Sequence, residues 1–229
     1  NLIKSNRPTI TKHRYVDVST KTKVFETYEY EPEELSKQEA EKFFDALSDI
    51  KSADLVLIAD YGHGLLTQDL ISFITNKSRF LAVNTQSNAG NRGFNTLSKY
   101  KKMDFFTANS GELQLELRSK SPNFQEIVPK MLNKFMAKKA CLTLGAEGML
   151  LFKKDAVESA PALATRVIDK VGAGDSVFAI SSLLAFVDAP LAIIGLVANL
   201  VAAHEVQQLG HQSSLTLGDI RKQVKAMLG

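Results

Sequence analysis

From Leu35 onward, short apolar runs alternate with stretches in which apolar residues recur every three or four positions. These are the periods of strands and helices. Leu55 to Ala59, Phe80 to Val83, Asp104 to Thr107, Ala140 to Leu144 and Met149 to Phe152 are short and mostly apolar, as strands covered on both faces should be. Ser36 with Glu39 forms a capping box, and Ala40, Phe43, Phe44, Leu47 and Ile50 then follow at helical spacing. Further helices are predicted from Thr67 to Thr75, Ser110 to Arg118, Phe124 to Ala137, Asp175 to Val187, Leu191 to Gln208 and Leu217 to Leu228. The alternation predicts an α/β fold, a mainly parallel sheet with helices on both faces. Ligands in such folds bind beyond the carboxyl ends of the strands. That singles out the loops Asp60–Gly64, Asn84–Gly93, Asn109–Glu112, Gly145–Gly148 and Lys170–Asp175.

The beginning of the chain reads differently. Pro8 to Val18 and Val24 to Glu31 are rich in Thr, Tyr, Val and Phe, with a break at Ser19–Lys23. This predicts two strands joined by a turn. Neither strand alternates cleanly, so a half-buried hairpin and a small sheet lying against a ligand or a partner chain fit equally well. Residues 1–31 are accordingly expected to be a lid or dimerisation segment, and residues 32–229 the α/β core.

Composition narrows the classes. The 229 residues are 45% hydrophobic and 23% charged, with a net charge of +3, the balance of an ordinary globular protein. Cys141, the single cysteine, has no internal disulfide partner and is expected to be buried and inert. The densest basic cluster, Lys99, Lys101 and Lys102, lacks interleaved aromatics and reads as a solvated loop, so no nucleic acid is expected as a partner. Glu26, Glu29 and Glu31 read as a solvated strand face. The most apolar region, Leu183 to Ala203, is broken by Asp188, Pro190 and Asn199, and its uncharged part falls short of the roughly 18 residues a membrane helix needs. Two buried helices and a cytoplasmic protein are expected. The chain opens on Asn1, not Met, and is expected to be a piece of something longer. His13, His63, His204 and His211 show no metal-ligand spacing.

Chemistry concentrates at Asp169-Lys170-Val171-Gly172-Ala173-Gly174-Asp175, just before a long apolar helix. Small residues let the backbone approach a ligand closely. Free amides and the dipole at a helix start favour an anion, here a phosphate or the charge of a moving phosphoryl group. A carboxylate beside such a site is repulsive unless it has a task, and taking the proton of an attacking hydroxyl is one. Asp175 as a plain helix N-cap beside a tight turn fits the same spacing. Gly172-Ala173-Gly174 opens a dinucleotide fingerprint, but its third glycine would fall at Val177, and the P-loop pattern is absent from the chain.

The Asp-x-x-Gly-Ala-Gly-Asp run resembles the signature of the ribokinase/PfkB family of sugar kinases. Two further segments match in order. Asn109-Ser110-Gly111-Glu112 resembles the family's Asn-x-x-Glu loop, and Thr143-Leu144-Gly145-Ala146-Glu147-Gly148 its Thr-x-Gly-x-x-Gly nucleotide loop. The Asp60-Tyr61-Gly62-His63-Gly64 turn and the Pro8-Thr9-Ile10-Thr11-Lys12 opening are similar to the heptose-phosphate kinase domain of bifunctional ADP-heptose synthesis enzymes.

The resemblance implies a ribokinase-like nucleotide-binding core and ATP-dependent phosphoryl transfer to a hydroxyl of a sugar, sugar phosphate or similar small molecule. It implies that Asp175 is the base, with the amides of Gly172, Ala173 and Gly174 forming an anion hole. Asn109 and Glu112 would serve Mg²⁺. Thr143, Gly145 and Gly148 would line the ATP site, with Asn199 near the adenine. A monovalent cation, K⁺, would sit beside Asp169 and the backbone near Val171. His63 and Asn84 stand as substrate-binding candidates. The resemblance further implies that the first third of the family fold is missing before Pro8. A homodimer through the N-terminal strands, or a missing N-terminal portion of the same protein, would then be the partner.

Departures from the family pattern are visible. Lys170 stands where Thr is usual, and His63 where a lysine is common. Asn84-Thr85-Gln86-Ser87 replaces the Asp-Pro-Lys-Gly of the heptose-phosphate kinases, which weighs against a phosphorylated heptose. Local alternatives also stand. Asn109 and Glu112 suit a helix start, Thr143 and Gly145 an ordinary strand exit, and Asn199 a packing hydrogen bond. The chain as a whole could instead be a regulatory nucleotide-binding domain of a longer protein, one that includes a nucleotidyltransferase, or a structural module.

Overall fold

The computed structural model describes residues 8–20, 23–29, 35–88, 90–208, 213 and 215–228. Glu31 and His211, named above, lie outside the described residues. The chain begins with β1 (Thr11–Val16) and β2 (Lys23–Glu29), an antiparallel pair in a sheet of their own. After α1 (Lys37–Ala46), the α/β alternation sets in as β3 (Val56–Asp60), α2 (Gln68–Lys77), β4 (Leu81–Thr85), β5 (Phe105–Asn109), α3 (Ser110–Leu117) and α4 (Phe124–Phe135). There follow β6 (Lys139–Thr143), β7 (Met149–Lys153), β8 (Ala156–Ala160), α5 (Ala173–Phe186), α6 (Leu191–Val206) and α7 (Leu217–Leu228).

The larger sheet has the order β3-β4-β5-β6-β7-β8. β3 to β6 run parallel, and β7 and β8 turn back antiparallel. Its two faces are apolar because both are covered. Ile58, Val83, Phe106, Leu142 and Phe152 point to the side packed by Ile71 and Ile74 of α2, Leu113 of α3 and Leu132 of α4. Ala82, Phe105, Cys141, Met149 and Leu151 point to the other side, packed by Val177 and Phe178 of α5 and Ile194 and Ala198 of α6. Side chains such as Phe105, Phe106 and Phe152 are fully buried. Each contributes about 1.5–3 kcal/mol by leaving water.

Local sequence explains the helix starts. Ser36 accepts from the Glu39 amide and Glu39 reaches back to Ser36, while Thr67 caps α2 through the Leu70 amide. Helix α5 begins two residues earlier than its sequence period suggests, with Gly172 as N-cap at φ 85°. The sequence pattern does not announce β8. Its single large apolar residue, Val157, is 44% exposed at the sheet's outer edge, so burial writes no pattern into it. Cys141 is buried as expected, and burial pushes its thiol up to about 12.

In the small sheet, Lys12 and Arg14 of β1 stand opposite Tyr28 and Glu26 of β2 on one face. Tyr15 and Phe25 stack on the other face with centroids 4.2 Å apart. One face thus gathers the cations Lys12 and Arg14 around Glu26, and the other carries the stacked Tyr15–Phe25 pair among Thr11, His13, Thr27 and Glu29. Glu26 does not belong to a solvated face. Its carboxylate meets Lys12 and Arg14 at 3.4 Å and Lys23 at 3.0 Å.

Gly148, at φ 93°, starts β7 where the chain leaving β8 crosses it. A Cβ there would overlap the Ala160 carbonyl and the Pro161–Ala162 backbone. Gly145 also has positive φ but opens onto free space. Gly148→Ala is expected to cost clearly more stability than Gly145→Ala, which carries only the left-handed penalty of about 1–2 kcal/mol. Urea unfolding of the two variants measures the difference. Equal losses would mean that the β8 exit yields freely.

Candidate active site

Parallel strands bring their carboxyl ends to one edge, so Asp60, Thr85, Asn109 and Thr143 end β3, β4, β5 and β6 side by side. Several spaces open there, and two of them reach Asp175. A small cavity of about 60 Å³ is lined by Asn84, Thr107, Asn109, Glu112, Thr143, Gly174 and Asp175, among others. A cleft of about 630 Å³ adjoins it, sharing Asn109, Glu112, Gly174 and Asp175 and adding Gly172, Lys170, Tyr61 and His63. Its roof is the small sheet, through Lys12, Arg14, Lys23, Glu26 and Tyr28. Catalytic, metal-binding and substrate-binding candidates far apart in sequence thus share one edge.

Helix α5 starts there without a side-chain cap, since Gly172 has none to offer. Its first-turn amides face a position where an anion is favoured. Asp175 is the third helical residue, not the N-cap, so the plain capping alternative does not describe it. Its carboxylate instead accepts a hydrogen bond from the Tyr61 hydroxyl at 2.9 Å. Burial, with that bond and the Asp175 charge, pushes the Tyr61 phenol up to about 12.

Asn109 and Glu112 form a reciprocal capping box on α3, each accepting from the other's amide at 2.8 Å. Capping does not exhaust Glu112. Burial raises its pKa and the nearby Asp175 charge adds to that, while bonds from the Asn109 and Ser87 amides oppose it. Two carboxylates lining one cavity repel each other, and a cation between them would relieve the strain. Mg²⁺ takes oxygen ligands and is held by one or two carboxylates together with substrate phosphates, so no larger acidic cage is needed. The residues fit that group.

The remaining candidates fall apart by position. Asn84 donates to the Thr107 carbonyl and hydroxyl at 3.1 and 3.0 Å at the cavity wall. His63 lines the cleft, and burial, helped by Lys12, holds its pKa below the ordinary histidine value against the pull of Asp60. Gly145 is exposed on a turn, whereas Gly148 is buried against chain. Asn199 is 4% exposed and donates to the Ala160 carbonyl at 3.1 Å, which fastens α6 to β8, and it lines neither space. Asp169 accepts from the Val171 amide at 3.0 Å and so shapes the turn into the glycine loop.

Sequence reasoning missed the support beneath the site. Asp60 is 4% exposed, and its carboxylate accepts from Lys99 at 2.7 Å, Tyr100 at 2.8 Å and the Gly62 amide at 2.9 Å. Burial, then the charge and hydrogen bond of Asp60, keeps the Tyr100 phenol protonated far above its usual range. Asn88 and Asn91 bind the Tyr61 carbonyl at 2.8 and 2.7 Å, and Asn95 binds the Asp60 carbonyl at 2.7 Å. Gly62, at φ 68°, passes so close to Asn91 and Asn95 that a side chain would collide with them. The sequence does carry a signal: three asparagines and a glycine turn around one carboxylate. Lys99 is thus no solvated loop residue, although Lys101 and Lys102 are exposed.

The pattern of the pfkB family carbohydrate kinases matches residues 2–217. The bifunctional protein HldE of a Nitratiruptor species is 27% identical over 225 residues, covering 96% of this chain and 46% of that protein. The bifunctional protein HldE of Rhodopseudomonas palustris is 28% identical over 225 residues, covering 96% and 45%. The chain therefore spans under half the length of these relatives. Phosphofructokinase-2 from Escherichia coli, solved with potassium, superposes with a TM-score of 0.71 at 16% identity, covering 86% of this chain and 64% of that one. Arabidopsis thaliana ribokinase, solved with ribose and ATP, gives 0.71 at 15% identity, covering 96% and 70%. These likenesses show a ribokinase-like fold.

Lys99→Met removes the ammonium that faces the buried Asp60 carboxylate. A hydrogen bond to a charged group contributes about 1.5–3 kcal/mol, and a loss of that order is expected in urea unfolding. Lys101→Met and Lys102→Met, both exposed, should stay within about 0.5 kcal/mol of the parent. Equal behaviour of all three variants would dissolve the Asp60 anchor.

Proposed function

Since the chain belongs to the pfkB family of carbohydrate kinases, we propose that it transfers the γ-phosphoryl group of ATP to a hydroxyl of a sugar phosphate. The observation that carries this is the meeting of Asp175, the uncapped glycine start of α5, Asn109, Glu112 and Thr143 around one cavity. The acceptor oxygen attacks the γ-phosphorus while its proton passes to the Asp175 carboxylate. The bond from phosphorus to the ADP oxygen breaks in the same displacement. Gly172, Ala173 and Gly174 offer their amides to the charge that develops on the phosphoryl oxygens. Glu112 and Asn109 would hold Mg²⁺, which neutralises phosphate charge when bound. Thr143 and Gly145 would border the nucleotide, and K⁺ would lie beside Asp169.

The roof of the cleft bears on the acceptor's own charge. Lys12, Arg14 and Lys23 share one carboxylate, Glu26, on the face that lines the cleft. Hydrogen bonding and charge from Lys23, with the charge of Lys12, hold Glu26 below its usual value in spite of burial. This excess of cations suits a phosphate on the sugar and supplies charge where no Asp-Pro-Lys-Gly lysine exists. The small sheet then acts as a lid that keeps out water, the competing acceptor. Its outer face exposes Tyr15 at 49% and Phe25 at 51%, which suits pairing with a second copy. The edge strand β3, with Leu57 41% exposed, suits cover by further chain of the same protein.

Mg·ATP at about 100 times its dissociation constant should stabilise the fold by about 2.7 kcal/mol. No thermal shift at millimolar Mg·ATP would count against the nucleotide site. Asp175→Asn keeps size and fold but cannot take a proton, so turnover should fall about 10²–10⁴-fold with ATP affinity little changed. An Asn variant that turns over at the parent rate would remove Asp175 from the reaction.

Glu112→Gln separates helix cap from metal holder, because Gln also completes a capping box. Stability should be kept, while turnover falls and the Mg²⁺ concentration for half-maximal rate rises. An unchanged Mg²⁺ dependence would leave Glu112 as a cap.

A further inference from the structure

Tyr61 touches the proposed base from a strand end 114 positions away in sequence, its hydroxyl donating to Asp175 Oδ2 at 2.9 Å. The residue is 37% exposed, but the backbone that carries it is held on several sides. Asn88 and Asn91 bind its carbonyl, and the preceding residue, Asp60, is buried under Lys99 and Tyr100. The ring lies nearly parallel to His63, 6.2 Å and 16° away, and His63 meets Tyr28 of β2 edge-on at 6.2 Å. One wall of rings therefore runs from the roof of the cleft to the carboxylate.

We propose that Tyr61 is the positioning residue for Asp175. Its hydrogen bond to Oδ2 fixes the carboxylate's rotamer and leaves Oδ1 as the atom that receives the acceptor's proton. Tyr61 keeps its own proton throughout. The O–H bond of the acceptor breaks toward Oδ1, the new O–P bond forms, and the P–O bond to ADP breaks. A hydrogen bond of this kind orients a catalytic group without touching the substrate, and orientation alone carries large rate factors. The role rests on Asp175 acting as the base.

The test compares the parent chain with Tyr61→Phe, Asp175→Asn and the double variant. The readout is ADP release from Mg·ATP, with water and then with fructose 6-phosphate as acceptor. Tyr61→Phe should lower kcat about tenfold or more, the scale of a lost hydrogen bond to a charged group. The KM for ATP should stay within about twofold, since uniform binding is untouched, and the melting temperature should fall by no more than in Asp175→Asn, which loses the acceptor of the same bond. The double variant should be no slower than Asp175→Asn alone, because with the carboxylate gone there is nothing left to position. A Tyr61→Phe protein at the parent kcat, or losses that multiply in the double variant, would overturn the role. Asp175→Asn at the parent rate, or a parent that releases no ADP with either acceptor, would overturn the base or the kinase reading, and this role with it.

Discussion

A sheet buried on both faces has no room for chemistry except at its ends. That constraint orders the molecule. The strands from β4 to β7 present apolar residues to helices on either side, and polar residues gather where β3 to β6 stop. Polar groups inside the fold must be paired, because an unpaired one costs several kcal/mol. Asp60 is the strictest case. Three donors hold its carboxylate, and through it the turn from Asp60 to Gly62 is pinned to the segment from Asn88 to Tyr100. Lys139 answers the same demand at the opposite end of β6, where its ammonium binds Asp188 at 2.7 Å and the Ala189 carbonyl at 2.8 Å.

The electrostatics of the active edge follow from that scaffold. Two carboxylates, Glu112 and Asp175, border one cavity, and burial raises Glu112 with Asp175 adding to it. Facing them are the uncapped start of α5 and a roof rich in Lys and Arg. Such a surface is poised between signs. On the proposed reading, negative phosphates and a divalent cation would bind there together. The pfkB membership and the ribokinase-like fold agree with that arrangement.

Much was legible in the sequence, for stated reasons. Hydrophobic period and capping need only neighbours along the chain, so the α/β alternation, the two-sided sheet, the capping box at Ser36 and the helix start at Asn109 could be read directly. Glycines at 172 and 174 announced a tight turn into a helix, and the order of the loops placed Asn109, Thr143 and Asp175 on one edge. Elements without a burial pattern escaped. β8 is exposed along most of its length; the β1–β2 pair was legible as two strands, but not which face meets the cleft, because both faces mix polar and aromatic residues.

What only the tertiary structure decided was pairing. Sequence could not say that Tyr61 meets Asp175, that Lys99 meets Asp60, or that Glu26 gathers three cations, because each contact joins separate segments or depends on strand register. It left Asn199 open between packing and ligand, and only the distance to Ala160 showed the packing bond. It could not tell Gly145 from Gly148, which share a positive φ and differ in what lies beside them. Composition and period determine which residues must leave water. The partners that satisfy the remaining polar groups are set by the meeting of surfaces, which no single segment contains.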